Sequence, residues 1–322
     1  MSAAEQPPWD EGPFQPEVVT VRVPAKINLS LSVGPLRPDG YHELVTVFHA
    51  VSLYDEVIAR SARGIALSVE PLRRDSDVDA VPADERNLAW QAAALLAEQC
   101  GVEPNVRLTI RKDIPVAGGM AGGSADAAAT LVACDSLWGT GLRRDELHDL
   151  AAQLGSDVPF ALHGGTAIGT GRGEHISPVL ASAGLEWVIA VLDAGLSTPK
   201  IFEACDMQRR RAGVEAPAPG VHPDLMTALR SRDTTAIGRA LYNDLQPAAI
   251  EVLPEIGELL TLGRAAGACG TLVSGSGPTT VFLVDSPLAA ANVEAELRSS
   301  GRCRAVRRAR GPVPGANIVN VR

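Results

Sequence analysis

Lysine is almost missing from this chain. Of its 322 residues, 29 are lysine or arginine, yet the only lysines are Lys26, Lys112 and Lys200, which leaves 26 arginines. A lysine kept against such a bias is a candidate for a place where a compact ammonium cannot be exchanged for a planar guanidinium. Cysteine is sparse too. Cys100, Cys134, Cys205, Cys269 and Cys303 are odd in number, scattered and free of any C-x-x-C pair, which argues against a disulfide framework or a structural zinc site and for reduced thiols in a cytoplasm. The six histidines show no metal-ligand spacing. No run approaches the ~18 apolar residues that span a bilayer. Net charge is −9, which speaks against a nucleic-acid or anionic-membrane partner. The local exception, Arg302 to Arg310, has no interleaved aromatics and reads as a solvated face of the last strand region. The opening segment MSAAEQPPWDEGPFQPE has neither the basic flank nor the apolar core of a secretory leader, and residues 1–17 read as a disordered, proline-rich tail.

What the chain does have is glycine in one place. PVAGGMAGGSADAAATL (115–131) carries Gly118, Gly119, Gly122 and Gly123 directly before an alanine-rich helix. Each would cost roughly 1 kcal/mol in a helix interior relative to alanine. Unobstructed backbone N–H groups feeding a helix N-terminus, with Ser124 as cap, predict a phosphate cradle. A Walker A loop is excluded, because no lysine lies between Lys112 and Lys200. A dinucleotide fingerprint is excluded as well: Met120 stands two residues after Gly118, and Ala121 two after Gly119.

The rest of the chain mixes strand and helix patterns without a regular βαβ rhythm, which predicts an α+β fold, and its length suggests two domains. VVTVRV (18–23) alternates like a strand that Pro24 should end, with AKINLSLSV resuming as a second run. RPDG (37–40) is a turn, and strands follow over 41–60. NLAWQAAALLAEQC (87–100) is an amphipathic helix that Asp84 or Asn87 could cap; VRLTIRKDI (106–114) is a strand; RRDELHDLAAQL (143–154) is a helix closed by Gly155. Residues 156–174 read as loop and short strands. WVIAVLDAG (187–195) reads as a buried strand, 211–223 as a loop between helices, and 271–284 as strand, tight glycine turn and strand.

Two of these stretches carry a family resemblance. PVAGGMAGGSADAA resembles the phosphate-binding loop of the GHMP small-molecule kinases, and TLVSGSGPTTVFLV their C-terminal glycine motif. PAKINLSL, RPDGYHEL and LGSDVPF narrow the likeness to members acting on a cytidine diphosphate-linked methylerythritol, and it runs from about Val18 to the C-terminus. The resemblance implies two domains, an ATP-binding unit over 18–184 of the ribosomal protein S5 domain 2 type and a ferredoxin-like α/β sandwich over 185–322, with the active site between them. It further implies transfer of the ATP γ-phosphoryl group to the 2-hydroxyl of the methylerythritol moiety, in non-mevalonate isoprenoid synthesis. The alternatives are a homoserine or mevalonate kinase type, or a catalytically silent nucleotide-binding protein on the same scaffold.

By the same resemblance, Asp157 is the catalytic carboxylate and Lys26 the catalytic lysine, a point charge beside it that helps orient the acceptor hydroxyl. The ATP site comprises Asn87, Lys112, Pro115, Gly118, Gly119, Met120, Ala121, Gly122, Gly123, Ser124 and Ala125. Tyr41 and His42 form the base-recognition pair, with Phe202 on the opposite face of the cytosine; such stacking is worth about 1–3 kcal/mol. Asn28, Thr198, Ser274, Gly275, Ser276 and Gly277 complete the substrate side. Mg2+ is expected on chemical grounds, with Ser124 and then Asp126 as candidate ligands. The chain departs from the family at Met120 and Ala121, where Leu and Gly are common, and at Ala125, where a second serine is common.

Overall fold

Hairpin geometry dominates the start of the chain. The computed structural model describes residues 16–76, 78–116, 118–181 and 184–322, so most of the expected tail lies outside the described residues. β1 (Val18–Leu36) and β2 (His42–Ser61) pair antiparallel over nearly their whole length. The Arg37–Gly40 turn joins them: the Gly40 N–H donates to the Arg37 carbonyl at 3.1 Å, and Gly40 sits at φ +83°, where glycine is unstrained. Pro24 does not end β1. It stands at a register break, opposite Tyr54 while Ala25 is already opposite Val51, so the missing N–H falls where the ladder is interrupted anyway.

β3 (Ile65–Pro71), α1 (Leu88–Cys100), β4 (Val106–Lys112), α2 (Gly122–Trp138) and α3 (Arg144–Leu154) follow. α1 is capped by Asn87, whose side chain accepts from the Ala89 N–H, and α3 closes at Gly155 as its sequence predicts. Where loop was expected there is a further helix, α4 (Val158–His163), six residues long and too short to show periodicity. β5 (Thr166–Gly171) and β6 (His175–Pro178) complete this half.

The second half runs β7 (Leu185–Leu192), α5 (Thr198–Ala212), α6 (Pro223–Ser231), α7 (Thr234–Ala240), β8 (Tyr242–Asn243), α8 (Gln246–Val252), α9 (Glu255–Ala265), β9 (Gly270–Val273), β10 (Thr280–Val284), α10 (Pro287–Ser299), β11 (Cys303–Gly311) and β12 (Asn317–Val321). One sheet has the order β12-β1-β2-β4-β3, with β5, β6 and β8 attached off that path; the other is antiparallel, β11-β7-β10-β9. The last strand thus returns to the first sheet, where the Glu17 N–H donates to the Arg322 carbonyl at 2.7 Å.

The first sheet packs on α2, whose alanines and Leu131, Cys134 and Leu137 are buried on all sides. The second core gathers Val188, Ala190, Leu259, Phe282 and Val293, and takes in Leu31 and Val33 from the end of β1. Arginines on and just before β11 pair with acids: Arg302 with Glu258, Arg308 with Glu294, Arg310 with Glu186. Arg307 is different. It is largely buried and reaches Asp75 at 2.8 Å and Asp113 at 3.7 Å, joining the second sheet to the segment ahead of the glycine loop.

Candidate active site

Strand alternation selects the site's floor. On β1, Ala25, Ile27 and Leu29 are fully buried in the first core, so Lys26 and Asn28 face the other way. On β2, His42, Leu44, Thr46 and Phe48 repeat with the same period of two. All six line a cleft of about 810 Å3 between the halves of the molecule.

A chain of hydrogen bonds orients Lys26. The Thr46 hydroxyl donates to the Ser30 carbonyl at 2.7 Å and therefore accepts from the Asn28 amide at 2.8 Å. That turns the Asn28 oxygen toward Lys26, whose ammonium donates to it at 3.0 Å. The same ammonium is 3.6 Å from the Asp157 carboxylate and 5.4 Å from the centre of the Phe48 ring. Asp157 occupies the residue ahead of α4, yet its side chain makes no capping bond. Its carboxylate is about one-third exposed and lines the cleft. An ordinary helix cap therefore does not account for it.

Farther along the cleft, the His42 ring stacks on Phe202, with centroids 5.0 Å apart and planes 25° apart. His42 Nε2 lies 3.1 and 3.2 Å from the two oxygens of Asp206, one helical turn beyond Phe202 on α5. A neutral ring donating there presents Nδ1 as an acceptor. Tyr41 is half exposed, with the Arg172 guanidinium 5.0 Å from its ring centre.

The two glycine segments meet each other. A methyl on Gly119 would overlap the Ser274 carbonyl oxygen, and one on Gly118 would come 2.8 Å from the Thr279 hydroxyl. The Ser274 hydroxyl donates to the Gly119 carbonyl at 3.1 Å. Gly275, at φ +58°, leaves its Cβ side open to Lys26 Nζ and Asn28 Oδ1, 3.7 and 3.6 Å from where a methyl would stand. Asn243 secures this turn, donating to the Val273 and Gly275 carbonyls at 2.9 and 2.8 Å. Thr198 and Ser276 share a hydroxyl–hydroxyl bond of 2.8 Å.

Comparison with known proteins fits this geometry. Residues 87–165 match the model of the GHMP kinases N terminal domain, and residues 225–303 that of the GHMP kinases C terminal domain. The chain is 52% identical over 324 residues to the 4-diphosphocytidyl-2-C-methyl-D-erythritol kinase of Salinispora arenicola (strain CNS-205), covering 99% of this chain and 100% of that one. It is 54% identical over 309 residues to the enzyme of the same name from Thermobifida fusca (strain YX), covering 94% and 99%. The chain belongs to the GHMP kinases. Within them it is a member of the 4-diphosphocytidyl-2-C-methyl-D-erythritol kinases. A crystal structure of a 4-(cytidine 5'-diphospho)-2C-methyl-D-erythritol kinase, 32% identical, superposes with a TM-score of 0.73 over 90% of this chain and 98% of that one.

In this GHMP kinase the expected site residues divide into two groups. The cleft is lined by Lys26, Asn28, Tyr41, His42, Gly119, Ala121, Ser124, Asp157, Thr198, Phe202, Gly275 and Ser276. The others stand behind it. Met120 and Ala125 are buried, and Met120 offers its carbonyl to the Lys26 N–H at 3.3 Å. Pro115 packs against Gly118, Gly122 lies over Lys112 and Ile114, and Gly123 faces Leu88. Ser274 is fully buried, and Gly277 closes the turn by donating its N–H to the Ser274 carbonyl at 2.9 Å. Asn87 is occupied at both ends of its amide, by the Ala89 N–H and the Pro82 carbonyl.

Two expectations need correction. Ser124 does not cap α2: the helix starts at Gly122 from a left-handed Ala121, which makes Ser124 the third residue of its first turn. Lys112 is not in the cleft but buried beneath the loop, bonded to Asp55 at 2.5 Å and Asp126 at 2.7 Å. Burial pulls the Lys112 ammonium down in pKa, but Asp126 and Asp55 outweigh it and hold the group above the ordinary lysine value. Asp126 is pushed well above the usual carboxylate range, by burial first and then by Asp55, with Lys112 opposing.

Thr46, Phe48, Asp206 and Asn243 were not anticipated. The first two were readable in principle from their period-two spacing with His42, and Asp206 from its helical spacing with Phe202.

Proposed function

We propose that this chain transfers the γ-phosphoryl group of ATP to the 2-hydroxyl of 4-diphosphocytidyl-2-C-methyl-D-erythritol. The observation that carries the reading is the Lys26–Asp157 pair, set in one cleft with the glycine loop and the His42–Phe202–Asp206 cluster. Asp157 takes the hydroxyl proton as that oxygen attacks the γ-phosphorus, and the bond to the β-phosphate oxygen breaks to release ADP. Lys26, fixed by Asn28 and Thr46, holds the carboxylate and the incoming oxygen together. The amides around Gly119 and at the start of α2 offer donors to the triphosphate. At the other end, His42 Nδ1 accepts from the cytosine amino group, Asp206 fixes the ring that does so, and Tyr41 and Phe202 supply stacking faces.

ATP is the phosphoryl donor of such a kinase, and Mg2+ is its expected companion. Among the described residues, no group of three His, Cys, Asp or Glu side chains could hold a metal by itself. That suits magnesium, which keeps waters and takes much of its shell from substrate phosphates. The Ser124 hydroxyl is the loop's protein oxygen at the cleft, whereas Asp126 is buried against Lys112. When bound, the ion would neutralise charge on the β- and γ-phosphates. In this reading residues 18–184 bring the loop, Lys26 and Asp157, and residues 185–322 bring Phe202 and the second glycine turn. The free cysteines suit a reducing cytoplasm.

Purified variants test the proposal. Asp157→Asn and Lys26→Ala should each lower turnover by about 10²–10⁴-fold while ATP binding, read by calorimetry, persists. Near-normal turnover in either, or preferred phosphorylation of homoserine or mevalonate over the cytidyl substrate, would overturn it.

A further inference from the structure

Outside the active-site cleft, basic side chains converge on a second pocket. It holds about 280 Å3 and lies between α2, α3, α4 and the segment 314–317. Arg144 and His148 are four residues apart on α3 and so share a face. His163 ends α4, and its ring centre is 6.5 Å from that of His148. All three line the pocket, and among the described residues none of their side chains has a hydrogen-bond or ion-pair partner. The acids of the first α3 turn, Asp145 and Glu146, are engaged by Arg143. Asp149 is the one acid acting on His148, and it is exposed. α2 contributes Val132, and the last wall is Pro314 to Asn317, so neither brings an ionisable group.

We propose that this pocket binds a small tetrahedral dianion, either free or as the phosphoryl group of a compound with a short apolar body. One guanidinium and two imidazoles provide donors and charge with no carboxylate among the lining residues, and Val132, Leu162 and Ala316 form an apolar wall beside them. Burial and then Arg144 hold both imidazoles below the ordinary histidine value, with His163 adding to the effect on His148 and Asp149 opposing it. A bound dianion reverses that balance, so binding takes up protons. The site stands at the far end of the helix that follows Asp157, and the proposal does not depend on the reaction assigned above.

The test is NMR titration of the histidine ring protons in the full chain, with and without sulfate, at constant ionic strength set by chloride. Sulfate stays doubly charged throughout, so only the protein titrates. The His148 and His163 midpoints should both rise by roughly one pH unit, while those of the exposed His175 and His222 stay put. Arg144→Ala, a substitution on the surface, should retain the parent's melting temperature and lose most of the shift. Midpoints that do not move, or that move equally in Arg144→Ala or at His175 and His222, overturn the proposal. Propyl phosphate binding more tightly than inorganic phosphate assigns the apolar wall to a ligand's body; equal binding assigns the site to the free anion.

Discussion

Ala121 sits at φ +58° and ψ 37°, immediately before α2, in a conformation where its Cβ crowds the following carbonyl. For an L-residue this costs about 1–2 kcal/mol. The position lines the cleft and sets the angle at which the glycine loop enters the helix, so the chain retains a strained residue where the phosphates are expected. Glycine removes that strain but gives back about 0.4–1 kcal/mol in the freedom of the unfolded chain. Ala121→Gly should therefore raise the urea midpoint modestly, by up to about 1 kcal/mol of stability. A less stable variant would show that the alanine methyl earns its place by packing. Gly119 presents the reverse case. Its φ of +71° and the Ser274 carbonyl beside it leave no room for a side chain, so this glycine serves the contact between the two glycine segments as well as any phosphate.

The element on which the loop rests is a buried charge cluster. Asp55 on β2 accepts from Lys112 and from the N–H groups of Asp113 and Ile114, at 2.6 and 2.9 Å, while Lys112 also holds Asp126 on α2. Two carboxylates and one ammonium thus pin strand, loop and helix together with no water-exposed member. Lys112→Met leaves the carboxylates buried without a cation and should cost about 3–5 kcal/mol in chemical unfolding. A loss below 1 kcal/mol would mean the cluster readily neutralises itself. Lys112 was recognisable as a kept lysine beside the loop, but its role was not, because the two acids that claim it lie 57 and 14 residues away. Longer elements with their own signals were legible: α1 with Asn87, α3 with Gly155, and the β9–β10 turn. α4 was not, since six residues, the first five of them apolar, carry no period, and β12 was not, since a five-residue exposed edge strand differs little in pattern from a loop. Lys26, Asp157, His42 and Phe202 were legible because each sits in a distinctive short motif. Thr46 and Asp206 act through those residues and leave no motif of their own.

At the scale of the whole molecule, the two sheets meet over His49. This β2 residue is fully buried, its ring centre 6.0 Å from that of Trp187 on β7, and Gly311 on β11 is the neighbour that leaves room for its Nε2. Its Nδ1 is 2.8 Å from the Thr166 hydroxyl. Burial lowers its pKa from the usual 6.5 to about 3, with a weaker opposing contribution from the Gly311 backbone. The unfolded chain thus takes up a proton near pH 6.5 that the folded chain refuses until about pH 3. Stability must then fall as pH drops through that window, by up to about 1.4 kcal/mol per pH unit from this residue alone, and level off below it. Other groups titrate over the same range, Asp126 with the opposite sign, so the contribution is best read as a difference. His49→Gln removes the titrating ring and should be less stable than the parent at pH 7, where it loses packing against Trp187. As pH falls from 6.5 toward 3 the gap should close, because only the parent pays to keep a neutral imidazole at the joint. Urea unfolding of both proteins across this range measures it, and a gap that stays constant with pH would rule out His49 as the acid-sensitive contact between the sheets.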